Sequence, residues 1–213
     1  QGASLGPLER HARWKSILEP EQRAAVLNGL VRARGDPVEL LRPTFAESAH
    51  AAPLARIMDL DLSVFLVEDM LVKTDRASMA HSLETRVPFL DPVLVEFALS
   101  LPTTAKVRGL SKKRLLRKAL RPYVPSEVLD GSKKGFSIPV AAWLRGDLLP
   151  MVRDTLAPSV VRRQGFFDPA AVTALVDAHV DGTRDYGQQL WSLLVFSLWC
   201  ERYGAVLGEP AVS

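Results

Sequence analysis

The sequence holds one cysteine, Cys200, in 213 residues. No disulfide can form within the chain, so packing has to hold the fold; a lone thiol inside an apolar helix is a structural residue and fits a reducing, cytoplasmic setting. Long apolar runs are also missing. The longest, 190–200, is broken by Ser192 and Ser197 and falls short of the roughly 18 residues that cross a bilayer, so no membrane is expected as a partner. The opening residues, QGASLGPLERHARWK, lack the basic start and apolar stretch of a secretory signal. There is no internal repeat, no low-complexity tract and no convincing period-two alternation of a half-buried strand. Histidines are few, and His11 and His50 have no second metal-type ligand three or four residues away. Both read as surface residues, as does His179, and no metal site is expected.

What remains is a composition of 47 % hydrophobic and 24 % charged residues, that of a globular chain with a core. The net charge is +3, and much of it comes from Lys112, Lys113, Arg114, Arg117, Lys118 and Arg121. Such a cluster is either a solvated helix face or a surface for an anion. Its helix carries inward leucines and no aromatic side chains for stacking bases, so a nucleic-acid-binding module is a weak alternative.

Apolar spacing and proline or glycine punctuation predict helices along most of the chain. One runs from Pro20 to Gly35 with Ala24, Leu27, Leu30 and Val31 facing inward, and 44–52 is a polar connection. A long helix starts at Pro53, with Leu54, Ile57, Met58, Leu62, Phe65 and Leu66 on its buried side; the carboxylates of Asp59, Asp61, Glu68 and Asp69 could share a cation, but a solvated face opposite the apolar stripe is the better reading. Asp91-Pro92 and Asp168-Pro169 each pair an N-cap with a proline at the first helical position. Ser111 is expected to cap the basic helix, with Leu115, Leu116, Ala119 and Leu120 inward. The last helix, GQQLWSLLVFSLWCERYG, is apolar nearly all round and should lie between others. The expectation is an all-α, compact multi-helix domain over 1–213, with nine to eleven helices.

Two stretches depart from simple packing. In VEDMLVKTDRASMAHSLETRVPFLD, residues 67–91, a helix should end near Leu83, leaving Glu84, Thr85 and Arg86 exposed at a break before Pro88. Glu84 and Arg86 are the candidates there, for chemistry or as a mutual ion pair. In DGSKKGFSIP, residues 130–139, glycines flank two lysines, which lets a ligand approach the backbone closely. A lysine there can meet a phosphate as a point charge, or simply mark a surface turn.

The run LVKTDRASMAHSLETRVPFLD, followed in order by VEFALSLP, KVRG, SKKRLLRKAL and SKKGFSIPVAAWLRG, resembles the C-terminal synthetase region of glutamine-dependent asparagine synthetases. The ordered set is specific, and a looser likeness reaches the tail WSLLVFSLWCERYG. The resemblance implies an ATP-dependent ligase of the pyrophosphatase-loop superfamily, with Mg²⁺ accompanying ATP. It adenylates the side-chain carboxylate of aspartate, releases pyrophosphate and lets ammonia from a glutaminase domain attack the acyl-adenylate. Lys133 would stabilise charge on the phosphates and the intermediate. Glu84 matches a glutamate that supports the catalytic base in β-lactam-forming relatives, and Arg86 would pair with it or with phosphate. A Ser-Gly-Gly-x-Asp-Ser loop and a nucleophilic N-terminal cysteine are not found. The resemblance therefore implies the C-terminal fragment of an α/β adenine-nucleotide-hydrolase-like synthetase domain whose sheet lies upstream, inactive alone. Its partners would be aspartate, ATP, ammonia and the upstream nucleotide-binding and glutaminase domains; a homodimer is allowed. An amide- or lactam-forming synthetase on another carboxylate fits the same motifs.

Overall fold

A computed structural model describes residues 5–49, 51–131 and 138–207. Lys133 and His50 lie outside these. In chain order the described residues form α1 (Pro7–Lys15), α2 (Pro20–Val26), α3 (Gly29–Arg32), α4 (Val38–Glu47) and α5 (Pro53–Leu60), then a π-helix (Asp61–Leu71) that runs into α6 (Val72–Met79). A 3₁₀ turn (Pro88–Leu90), α7 (Pro92–Ser100), α8 (Thr103–Lys106), strands β1 (Val107–Arg108) and β2 (Ser111–Lys112), α9 (Arg114–Leu120) and α10 (Ser126–Leu129) follow. The rest is α11 (Val140–Arg145), α12 (Leu149–Thr155), α13 (Pro158–Gln164), α14 (Pro169–Val180) and α15 (Gly187–Tyr203). The all-α expectation holds: the only sheet among the described residues is the antiparallel pair β1–β2. Among the described residues the helices are more numerous than expected, because α3, α8 and α10 are single turns.

The chain divides into two compact units, the first made of 1–11 and 38–135, the second of 12–37 and 136–213. The first has a small core of Leu8, Phe45 and Leu60, with Val38, Leu41, Ile57 and Val64 against it. Phe45 shows that 44–52 is not simply a polar connection, since α4 carries on through Pro43 to Glu47. Leu60, off the expected stripe, is the buried residue of the long helical run, and Phe65 is exposed. Leu60 precedes the π-helix and shares the face of Ile57 three residues before it; the π-helix explains Phe65. Its i→i+5 bonding takes more residues per turn than the 3.6 of an α-helix, so the apolar stripe no longer points one way. Nor is His11 a solvated surface residue: its ring is largely buried and Nε2 lies 2.9 Å from Asp61 Oδ1. Asp91 caps α7, accepting from the Leu94 N–H at 3.1 Å, yet α7 buries none of its apolar residues. Ser111 belongs to β2 rather than to a cap, and Lys113, with φ +55°, precedes α9 in its place.

The second unit is built around Leu144, Val152, Val161, Val172, Leu190 and Leu194. The expected helix from Pro20 is interrupted, because Leu27 turns extended and pairs with Phe167. The Asn28 N–H donates to the Phe166 carbonyl at 2.9 Å and the Asp168 N–H to the Val26 carbonyl at 2.8 Å. Val26, not Leu27 or Leu30, is the residue that enters the core. Asp168 caps α14 as expected, accepting from the Ala171 N–H at 2.8 Å. Helix α15 buries Leu190, Leu193, Leu194, Ser197 and Cys200, but its opposite side, with Val195, Leu198 and Trp199, is exposed. Cys200 is buried, and loss of solvation pushes its thiol above the ordinary value, with Glu201 adding to the shift. Inside the core Ser197 Oγ lies 2.9 Å from Gln164 Oε1 and 3.2 Å from the Thr155 carbonyl, and Gln164 Nε2 donates back to the Ser197 carbonyl at 3.2 Å. No helix among the described residues is long and apolar enough to cross a membrane.

Candidate functional site

The sequence singled out residues 67–91, which lie in the first unit. Helix α6 ends earlier than Leu83, at Met79, and the manner of its ending sets up the exposed triplet. The Leu83 N–H donates to the Ser78 carbonyl at 3.0 Å and the Ser82 N–H to the Met79 carbonyl at 2.9 Å, while Ser82 takes φ +56°. This is a Schellman closure with serine where glycine is usual, and a Cβ in that conformation costs about 1–2 kcal/mol. The chain leaves it without regular structure through Glu84, Thr85, Arg86 and Val87 until Pro88 begins the 3₁₀ turn. Glu84 and Arg86 meet there in a salt bridge, with their side chains 67 % and 83 % exposed.

An exposed ion pair contributes between about zero and 1 kcal/mol, so this one does little for stability. It does hold a carboxylate and a guanidinium together, open to an incoming ligand. At the start of α6, Lys73 Nζ lies 3.3 Å from Asp69 Oδ1, also at the surface. Around the triplet the surface is apolar: Met79, Leu83, Val87, Phe89, Val93 and Phe97 are exposed.

The approach to the lysine segment is also in the first unit. Arg117 donates to the Leu129 carbonyl at the end of α10. A Cβ on Gly131 would meet the Glu127 carbonyl oxygen at 2.7 Å, so only glycine lets the chain leave α10 on this path. An open groove of about 470 Å³ runs beside α10, lined by Arg121, Tyr123, Pro125, Ser126, Leu129 and Asp130. Lys133 is outside the described residues, so the three sequence candidates are not brought together here. Among the described residues no group of three His, Cys, Asp or Glu side chains lies close enough to hold a metal ion. Asp61 and Asp69 are instead engaged by His11 and Lys73.

Sequence reasoning missed one group that the structure brings forward. His179, taken as a surface residue, is completely buried in the second unit. It contacts Ala141, Arg145 and Tyr186. The available signal was its position at i+3 from Val176 and i+4 from Leu175, on the buried stripe of α14.

The chain is similar to known proteins. The family model for asparagine synthase matches residues 3–201, and the chain belongs to that family. A Mycobacterium bovis protein that carries the name of a glutamine-hydrolyzing asparagine synthetase is 43 % identical over 162 residues, covering 76 % of this chain and 24 % of that protein. Asparagine synthetase (glutamine-hydrolyzing) 1 of Bacillus subtilis is 31 % identical over 161 residues, 76 % of this chain and 25 % of its own length. Amidase chry2 of Gibberella zeae is 33 % identical over 109 residues, 48 % of this chain and 16 % of that protein. The chain thus spans about a quarter of the length of the curated synthetases it matches. No solved structure gives a match.

Proposed function

We propose that the chain is the helical C-terminal part of a glutamine-dependent asparagine synthetase. The single observation that carries this reading is the family match over 3–201, which takes in the ordered motifs around Glu84, Arg86 and Lys133. The exposed apolar surface around the triplet supports it too, since such a surface suits contact with further protein. In the whole enzyme the β-carboxylate of aspartate attacks the α-phosphorus of ATP, the bond to the β-phosphate breaks and pyrophosphate leaves. Ammonia, released from glutamine by hydrolysis in a glutaminase domain, then attacks the acyl carbon, AMP departs and asparagine remains.

Negative charge builds on the phosphates in the first step and on the acyl oxygen in the second. A fixed lysine is worth most at such points, which is the role we give Lys133. Arg86 would offer its planar guanidinium to a phosphate, and Glu84 would orient it and add charge near the reacting carboxylate. Among the described residues no three His, Cys, Asp or Glu side chains cluster as metal ligands. The metal that accompanies ATP is assigned to the upstream part, together with the pyrophosphate cradle, and the chain is proposed to be inactive alone. A cytoplasmic location and a single domain over 1–213 go with this reading.

In the full-length protein, Lys133→Ala is expected to abolish ammonia-dependent asparagine formation and pyrophosphate release; rates equal to wild type would overturn the assignment. A second reading, amide formation on a different carboxylate, is favoured by the likeness to the amidase. Pyrophosphate release measured across a panel of carboxylates decides between them: aspartate alone for the first, another acid for the second.

A further inference from the structure

From Phe97 to Ser126 the chain carries Lys106, Arg108, Lys112, Lys113, Arg114, Arg117, Lys118 and Arg121 and not one carboxylate. No ion pair among the described residues engages any of these cations. Three are held by carbonyl groups instead. Lys106 donates to the Leu99 carbonyl at 3.1 Å, Arg114 to that of Thr104 at 2.9 Å and Arg117 to that of Leu129. Such bonds fix a side chain without neutralising it. Arg114, Arg117, Lys118 and Arg121 recur at three- and four-residue steps along α9 and its closing residue, so they form one cationic stripe. The stripe runs into the open groove beside α10, because Arg121 is both its last member and part of the groove wall. Tyr123 lines the same groove and is 82 % exposed. Its ring supplies the stacking surface that α9 itself lacks. Ser126 and Asp130 add polar groups to the wall, and Glu127 and Asp130 close the basic stretch on the α10 side.

We propose that this face of the first unit binds single-stranded nucleic acid: the α9 stripe follows the phosphates and the groove takes a base against Tyr123. The function is separate from the synthetase reaction and does not rest on the role given to Lys133. A row of cations without counter-charges gains most from a polyanion, whose own condensed counterions are released when its phosphates are neutralised. An exposed aromatic ring beside an arginine holds a base on its face with a phosphate next to it. Only an unpaired base can stack in this way, which selects a single strand over a duplex. The groove, at about 470 Å³, has the volume of a small-ligand site, and being open it admits a base that remains part of a strand. Asp130 argues against an acidic protein segment as the occupant. Its carboxylate would repel acidic side chains, whereas a base offers amino groups that the same oxygens can accept from.

The test uses the full-length protein and a fluorescently labelled, mixed-sequence single-stranded RNA of about a dozen nucleotides, with binding read by anisotropy across a salt series. Four phosphate contacts give an expected slope of log K against log salt of about −3, and K118Q/R121Q is expected to halve it. Y123A is expected to weaken binding on the order of tenfold while keeping the slope, and Y123F to bind as wild type does. All three substituted side chains are exposed, so these changes read binding rather than folding. Saturating ATP with Mg²⁺ is expected to leave the affinity unchanged. No binding at the lowest salt, a wild-type slope in K118Q/R121Q, or wild-type affinity in Y123A would each overturn the proposal. Three competitors would overturn it in different ways. Displacement by polyglutamate as effective as by unlabelled RNA would make the partner an acidic protein, and equal displacement by phosphatidylserine vesicles would make it a membrane surface. Displacement by ATP would make the strand an occupant of the nucleotide site.

Discussion

The two units divide the work of the chain unequally. The second buries a continuous core from Val26 to Leu194 and ties α11, α14 and α15 together through His179. The first has three buried residues at its centre, Leu8, Phe45 and Leu60, and leaves α7 and the segment after α6 largely exposed. Yet Glu84, Arg86 and the approach to Lys133 are all in the first. The larger core and the candidate residues Glu84 and Arg86 are thus in different parts of the chain, and the difference can be broken or sharpened by substitution.

The largest effect is expected at Leu194→Ala, which removes a fully buried side chain and should cost about 2–5 kcal/mol, where Phe97→Ala on exposed α7 should cost far less. All four tryptophans, Trp14, Trp143, Trp191 and Trp199, lie in the second unit, so a denaturant titration followed by tryptophan fluorescence reads that unit, and the helical circular dichroism signal followed beside it reads both. Equal losses from the two substitutions would erase the contrast. Next, Gln164→Leu removes two buried hydrogen bonds, to the Ser197 hydroxyl and carbonyl, and leaves the hydroxyl only the Thr155 carbonyl; at about 0.5–1.5 kcal/mol per bond it should cost about 1–3 kcal/mol in the same titration.

Acid should act on the second unit by a third route. Its buried histidine has a folded pKa below the unfolded value of 6.5, so as pH drops the unfolded chain takes up the proton first. The contribution of His179 is complete above about pH 6.5 and is lost as pH falls through the folded value, a dependence that H179Q should lack. Ser82→Gly relieves a left-handed serine, and the gain, about 1 kcal/mol less the added freedom of glycine in the unfolded chain, should show as amide protection at the end of α6. The smallest effect belongs to Glu84→Gln, which breaks an exposed pair and should move stability by about 0.5 kcal/mol or less. A large loss would mean that the pair has a structural task, and the functional reading of Glu84 would weaken.

Much of this was legible in the sequence where a local rule decides the outcome. Asp91-Pro92 and Asp168-Pro169 are caps because a short carboxylate before a proline satisfies the first free N–H groups wherever it stands. The buried face of α14 followed from Val172, Leu175 and Val176 at helical spacing. Reading failed where distant residues overrule the local preference. Leu27 leaves its helix to pair with Phe167, which no window around residue 27 contains. His179 was judged by its polarity, although its partners sit at 141, 145 and 186. The apolar stripes of α7 and α15 mark surface that wants cover, and a pattern cannot say whether the chain itself provides it. At the site, Glu84 and Arg86 were correctly expected at an exposed break. They pair with each other, as one of the two sequence readings allowed, but the chemistry assigned to them comes from resemblance.

The π-helix has a consequence for length variation. Residues 61–71 hold an unbroken stretch of i→i+5 bonding between two α-helices, and each residue of an α-helix turns the chain by about 100°. Deleting one residue there would let a widened turn relax to ordinary winding. Insertions and deletions in this stretch would then act as a dial: the chain stays helical while the bearing of α6, and of the Glu84 segment behind it, swings around the axis.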